Sequence, residues 1–271
     1  MKRQKRYMLA ADFNGSVQRS KEKGVAERPK KVQLFHTCLI NEVYPEVGMS
    51  VVRVLERLGI EVEVPLEQTC CGQPAYNAGF QADARTVARH TISVLQRTEG
   101  PIVIPSGSCA DMVVHQYEVL FHGDEEWLAK AHGVAQRCHE FSQFLVDVLA
   151  VTGIGAHVAA KVAYHPSCHL LRGLGVRDQP KALLRAVEGV ELVEFREQEE
   201  CCGFGGMFSV KNPEISGSMM DRKLAAVEGS AADRLVSCDL GCLMHLAGGL
   251  NRRRSSLKTQ HLAQVLDEGL Q

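Results

Sequence analysis

Apolar residues in this chain fall into short runs that alternate with stretches of helical spacing, and the same order comes round twice. Val32-Gln33-Leu34-Phe35-His36-Thr37-Cys38 is a brief apolar segment of strand character that ends on a cysteine. Val47, Val51, Val54, Leu55 and Leu58 then recur at helical spacing, and Gly59 closes that helix. Glu61-Val62-Glu63-Val64-Pro65 alternates as a strand does, and residues 81–97 read as a helix. Pro101-Ile102-Val103-Ile104-Pro105 is a third, buried strand, with Ser106-Gly107-Ser108-Cys109 as the loop after it. A helical region is predicted over residues 125–150, and Thr152-Gly153-Ile154-Gly155 is a glycine-rich joint.

Beyond the joint the order repeats. Lys161-Val162-Ala163-Tyr164-His165 predicts a strand leading to Cys168, and residues 179–188 a helix. A strand over 190–195 precedes Cys201, and a helix follows over 213–228. Arg234-Leu235-Val236-Ser237 is a short strand before Cys242, and the last helix covers 261–270. The closing helices also correspond, Phe141-Ser142-Gln143-Phe144-Leu145 against Leu262-Ala263-Gln264-Val265-Leu266. Strands alternating with helices imply parallel sheets covered by helices. The predicted fold is α/β: two tandem duplicated halves, each a Rossmann-like parallel sheet flanked by helices. The expected division is a basic disordered tail (1–31), a first domain (32–152) and a second (153–271).

Composition narrows the chemistry. The 271 residues are 45% apolar and 23% charged with a net charge of −1, which gives no reason to expect nucleic acid or a membrane surface as partner. Residues 1–31 hold ten Lys/Arg against three Asp/Glu, a solvated tail with no signal-peptide core. No apolar run approaches the roughly 20 residues of a transmembrane helix. A cytoplasmic, reducing location is the expectation, and there ten cysteines argue for metal or redox chemistry rather than disulfides.

The cysteines repeat with the fold. Cys70-Cys71-Gly72 is echoed by Cys201-Cys202-Gly203. Cys38 precedes Cys70 by 32 positions and Cys168 precedes Cys201 by 33, while Cys109 follows Cys71 by 38 and Cys242 follows Cys202 by 40. Each position lies just after a predicted strand, and in an open parallel sheet the carboxyl ends of strands share one edge where ligands bind. Four thiolates per half serve zinc or an iron–sulfur cluster. Adjacent cysteines aim poorly at one ion but reach two irons of a larger core, so the spacing favours clusters. Gly72 and Gly203 would let backbone approach that core. Cys138, placed on a helix, and Cys238 have no counterparts and read as small buried hydrophobes, with Cys238 an alternative to Cys242 as ligand.

These residues resemble the cysteine-rich domain of the pattern Cys, then Cys-Cys-Gly, then Cys-x-x-Cys, shared by heterodisulfide reductase B, the iron–sulfur component of glycolate oxidase and the lactate utilisation protein A family. Cys70-Cys71-Gly72-Gln73-Pro74-Ala75, Pro105-Ser106-Gly107-Ser108-Cys109, Tyr164-His165-Pro166-Ser167-Cys168 and the run from Cys201 to Lys211 are most similar to the last family. The resemblance implies a cytoplasmic iron–sulfur electron-transfer subunit of an L-lactate oxidation system, beside an iron–sulfur protein B and a protein C. In the heterodisulfide reductase relative each complete motif supplies five cysteines to a noncubane cluster; the four thiolates of each half here suffice for one [4Fe–4S] cluster per half. Both halves depart from the pattern, with Cys109-Ala110-Asp111-Met112 and Cys242-Leu243-Met244-His245. The second site is therefore either degenerate or completed by His245, a candidate ligand that would raise the potential.

His36, His165 and His169 also stand near cysteines, either as hydrogen-bond donors to a cluster or as strand-end side chains satisfied by backbone. Gly203, Gly205 and Gly206 lack dinucleotide spacing, and no flavin, nicotinamide, triad or paired-carboxylate signature stands out. The chain is accordingly expected to carry electrons rather than to oxidise substrate. The alternatives are a thiol–disulfide reductase of the heterodisulfide reductase B kind and a zinc-bound structural module.

Overall fold

A computed structural model describes residues 28–270. Two four-stranded sheets, wholly parallel, repeat one topology. The first comprises β1 (Lys31–Leu34), β2 (Glu61–Glu63), β3 (Ile102–Ile104) and β4 (Cys138–Glu140) in the order β2-β1-β3-β4. The second comprises β5 (His157–Tyr164), β6 (Glu188–Val193), β7 (Arg234–Ser237) and β8 (Lys258–His261) in the order β6-β5-β7-β8. The duplicated α/β architecture expected from the sequence is present.

The helices follow from local pattern. In the Pro45–Arg57 helix, proline sits in the first turn where its missing N–H is not needed, and Val47, Val51, Val54 and Leu55 form the buried stripe. Gly59, at φ +76°, turns the chain out of it. Four expectations are corrected. Residues 125–150 are not one helix: Glu125–Ala135 is helical, β4 follows, and a short helix then starts at Phe141. Cys138 thus opens a strand rather than lying on a helix. The strand β8 was unforeseen, and Ser106 to Cys109 is not a loop, because Ser106 caps a helix over Gly107–Asp111. Both missed strands are sheet edges with polar sequences, Cys-His-Glu and Lys-Thr-Gln-His, so neither shows an apolar run. The likeness of the two closing segments holds: Glu140 with Gln143 and His261 with Gln264 form matching capping boxes directly after β4 and β8.

The halves share one core. Val32, Leu34, Val51 and Phe144 from the first pack with Val158, Val162, Tyr164 and Val236 from the second. Across this junction the Arg53 guanidinium and the Ser50 hydroxyl, both on Pro45–Arg57, donate to Asp267 of the Leu262–Glu268 helix (Ser50 Oγ to Oδ2 2.8 Å). Residues 150–156, where the joint was expected, carry no helix or strand. The expected basic tail lies mostly outside the described residues; its last member, Lys31, belongs to β1 and pairs with Glu61 and Glu63 at 3.2 and 3.0 Å.

Candidate metal centre

Every cysteine of the repeated pattern sits beyond the carboxyl end of a strand: Cys38 after β1, Cys70 and Cys71 after β2, Cys109 after β3, and Cys168, Cys201/Cys202 and Cys242 after β5, β6 and β7. The sheet edge gathers them. Cys38 Sγ lies 3.8 Å from Cys70 Sγ, and Cys71 lies against both Cys70 and Cys109. In the second half Cys201 lies against Cys168 and Cys202, and Cys202 Sγ is 3.2 Å from Cys242 Sγ. Both sets line the same cavity, of about 210 Å³, between the two halves.

The thiols respond to one another in the same way in each set. Neighbouring thiols, Cys38 and Cys71 for one and Cys168 and Cys202 for the other, hold Cys70 and Cys201 well below the ordinary cysteine range. The Gly72 and Gly203 amides help, donating to Cys70 Sγ at 3.4 Å and Cys201 Sγ at 3.3 Å. Cys71 is pushed up by Cys109 and Cys70 and by full burial, and Cys202 by Cys201 and Cys242. Sulfurs in mutual contact, accepting backbone N–H bonds in apolar surroundings, are a donor set for a thiophilic metal or an iron–sulfur core.

The two glycines also have a local backbone reason. Gly72 and Gly203 lie at φ +88° and +91°, and a Cβ there would meet Ala84 O at 3.4 Å and Ser216 O at 2.7 Å. At Gly203 the backbone of the following helix leaves no room for a side chain, and at both positions the left-handed conformation itself disfavours one.

Several positioning residues were not foreseen. Gln68 Nε2 donates to Leu34 O (2.8 Å) and Gln198 Nε2 to Tyr164 O (3.0 Å), so in each half a glutamine just before the cysteine pair clamps it to the strand leading to the first cysteine. Thr91 Oγ1 donates to Cys70 O and Tyr117 Oη to Cys71 O. Ser106 and Asp239, each three residues before the last cysteine, cap the helices that carry Cys109 and Cys242. Asp239 also accepts from Ser108 N across the junction at 2.8 Å, tying the two cysteine loops together. The recurrence of glutamine two or three residues before Cys-Cys-Gly was the available signal.

The histidines separate. His165 is fully buried, neither ring nitrogen has a partner, and its ligand atom lies within 4.8 Å of those of Cys202 and Cys242. Burial, with Lys223 nearby, lowers its pKa to about 3 and keeps the imidazole neutral. His245, the candidate ligand, sits one turn beyond Cys242 with its ring 5.7 Å from that of Phe204 and its Nε2 3.4 Å from Ser216 Oγ. His169 lines the cavity, and His36 Nδ1 lies 3.2 Å from Thr37 O. Cys138 is buried at the start of β4, its thiol pushed up to about 12 by burial, and Cys238 packs in the shared core beside Tyr164 Oη at 3.7 Å.

Comparison with known proteins agrees with this arrangement. The cysteine-rich domain family matches residues 32–113 and 162–247, once in each half. Lactate utilization protein A 2 of Bacillus cereus strain Q1 is 45% identical over 240 residues, covering 89% of this chain and 99% of that protein. Lactate utilization protein A of Oceanobacillus iheyensis is 45% identical over 237 residues, covering 88% and 96%. A crystal structure of a hypothetical protein from Helicobacter pylori shares the fold, with a TM-score of 0.63 at 13% identity; it covers 89% of this chain, which spans about half (49%) of that one. Among the described residues no helix is long and apolar enough to cross a membrane. The chain belongs to the lactate utilisation protein A family, with two copies of its cysteine-rich domain.

Proposed function

We propose that this chain is the iron–sulfur electron-transfer subunit of a lactate-oxidising system, with one cluster per half held by Cys38, Cys70, Cys71 and Cys109 and by Cys168, Cys201, Cys202 and Cys242. The observation that carries the reading is the contact of the cysteine sulfurs within each set, both sets opening on one cavity. Four thiolates match a [4Fe–4S] core, which supplies a one-electron couple. The protein's own residues fix the sulfurs through the glutamine clamps and helix caps. Lactate itself is oxidised elsewhere, in a partner corresponding to protein B or C, and the electrons pass through this subunit.

The test is spectroscopic. Anaerobic protein with its clusters oxidised is mixed with L-lactate and the partner proteins, together and singly. The cluster absorption bleaches only in the complete mixture. Lactate oxidation by the isolated chain, or an unchanged spectrum in the complete mixture, contradicts the proposal. A second reading, reduction of a disulfide, is favoured by the cavity shared between the two sets; disulfide-dependent turnover by the chain alone distinguishes it.

A further inference from the structure

The two halves are close copies in backbone but not in what surrounds the sulfurs. Phe35 and His165 occupy the same place, each three residues before the first cysteine of its set. Their amides make the same bond, Phe35 N to Val103 O at 2.9 Å and His165 N to Val236 O at 2.8 Å. Both side chains are fully buried. One is a phenyl ring. The other is an imidazole with no hydrogen-bond partner on either nitrogen, within ligand reach of Cys202 and Cys242.

A second position differs in the same sense. Ala84 and Ser216 are the residues whose carbonyls back the two cysteine-pair glycines, and seven residues beyond them stand Thr91 and Lys223. Thr91 gives its hydroxyl hydrogen to Cys70 O. Lys223 is 1% exposed and makes no ion pair among the described residues. Its ammonium donates to Glu197 O and to Gln198 O (2.9 Å), the backbone just before Cys201. A buried nitrogen donor and a buried cation therefore attend the second set of sulfurs, and a phenyl and a hydroxyl turned to backbone attend the first.

We infer that the two sites are electronically inequivalent, and that the second is the higher-potential member of the pair because His165 and Lys223 stabilise its reduced form. This rests on the iron–sulfur reading above. Reduction adds one negative charge to a cluster. An imidazole that donates to a cluster sulfur favours the added electron, and so does a nearby ammonium. The imidazole's N–H, unpartnered within the protein, is then satisfied by the cluster, which lowers the cost of burying it. An electron on the first site passes to the second: the first cluster is oxidised by one electron and the second reduced by one, across the cavity both line. His165 and Lys223 act as positioning and tuning residues for this step.

The test is an anaerobic reductive titration of the full, cluster-loaded chain followed by EPR. Two steps are expected. His165→Phe and Lys223→Thr, which copy the first half into the second, each lower the upper step and leave the lower one in place. The double variant brings the two together. Phe35→His raises the lower step, and His157→Leu, at the exposed start of β5 and outside the cavity, leaves the pair separated. Should a variant fail to load, the unaltered chain grown with 15N-histidine decides: pulsed EPR shows a histidine nitrogen coupled to the signal that appears at the upper step. Coincident steps in the unaltered protein, an upper step indifferent to the double substitution, or nitrogen coupling absent from that signal would each overturn the inference while leaving iron and sulfide in place. Protein without iron and sulfide overturns the underlying reading as well.

Discussion

Asp239 is the residue on which both cysteine loops converge, and its removal has a calculable cost. It is nearly fully buried, with Oδ1 accepting from Gly241 N and Cys242 N and Oδ2 accepting from Ser108 N of the other half at 2.8 Å. Losing a helix cap costs about 1 kcal/mol. Losing a hydrogen bond to a charged group costs about 2 kcal/mol. Asp239→Ala removes both and should destabilise by about 3 kcal/mol. Asp239→Ser restores the cap that Ser106 provides at the matching position, but a hydroxyl is too short to keep the cross-junction bond, so about 2 kcal/mol is lost. The difference between the variants isolates the cap. Denaturant midpoints on reduced, chelator-treated protein give these values free of any metal contribution. Far-UV circular dichroism reports both halves, and the single tryptophan, Trp127, reports the first. One shared core requires the two probes to give one midpoint. Equal midpoints for Asp239→Ala and the unaltered chain would refute the bridging role, and equal losses for Ala and Ser would refute the division between cap and cross-junction bond.

Other outcomes follow from the same geometry. Gly72→Ala meets Ala84 O at 3.4 Å and suffers mainly backbone strain of about 1–3 kcal/mol, whereas Gly203→Ala meets Ser216 O at 2.7 Å and should lose distinctly more on the same denaturant measurement. Glu140 is fully buried, and burial, opposed by the donors Ser142 and Gln143, raises its pKa from 4.5 to about 7. The folded state therefore binds the proton more tightly. Stability contributed by this group is present below pH 4.5 and falls, by roughly 3 kcal/mol, as pH rises to 7. Glu140→Gln should flatten that limb of the stability–pH curve, and an unchanged slope contradicts the assignment. Cys138→Ala and Cys238→Ala should leave metal content untouched, since neither thiol lines the cavity; metal analysis of the purified variants checks this.

Much of the fold was legible because the buried strands announce themselves. Ile102–Ile104 and Val162–Tyr164 are apolar runs of the kind that a sheet covered on both faces shows, and Val32 and Leu34 flank a buried Gln33 in the third. β4 and β8 were hidden for the opposite reason: as edge strands they pair on one side only, and β4 buries Glu140 where a core would ordinarily place an aliphatic residue. The cysteine sets were visible in spacing alone, because a duplicated sheet returns the chain to its carboxyl edge at fixed intervals. What spacing cannot carry is side-chain direction. His245, one turn after Cys242, looked like the missing fourth position of the Cys-x-x-Cys pattern, yet its imidazole turns to Ser216 and Phe204. His165, directly after β5, is the histidine whose ligand atom lies within reach of Cys202 and Cys242. The roles of Asp239 and the two glutamines went unread because their partners lie across the junction or 34 positions away in sequence, and only the recurrence of glutamine before each cysteine pair pointed to them.

The most direct measurement is iron and acid-labile sulfide in protein purified without oxygen, for the unaltered chain and for Cys71→Ser and Cys202→Ser. The account predicts brown protein with iron and sulfide in equal amounts. Each variant should lose the share of one half and keep that of the other. Colourless protein, or zinc in place of iron with no sulfide, would contradict it.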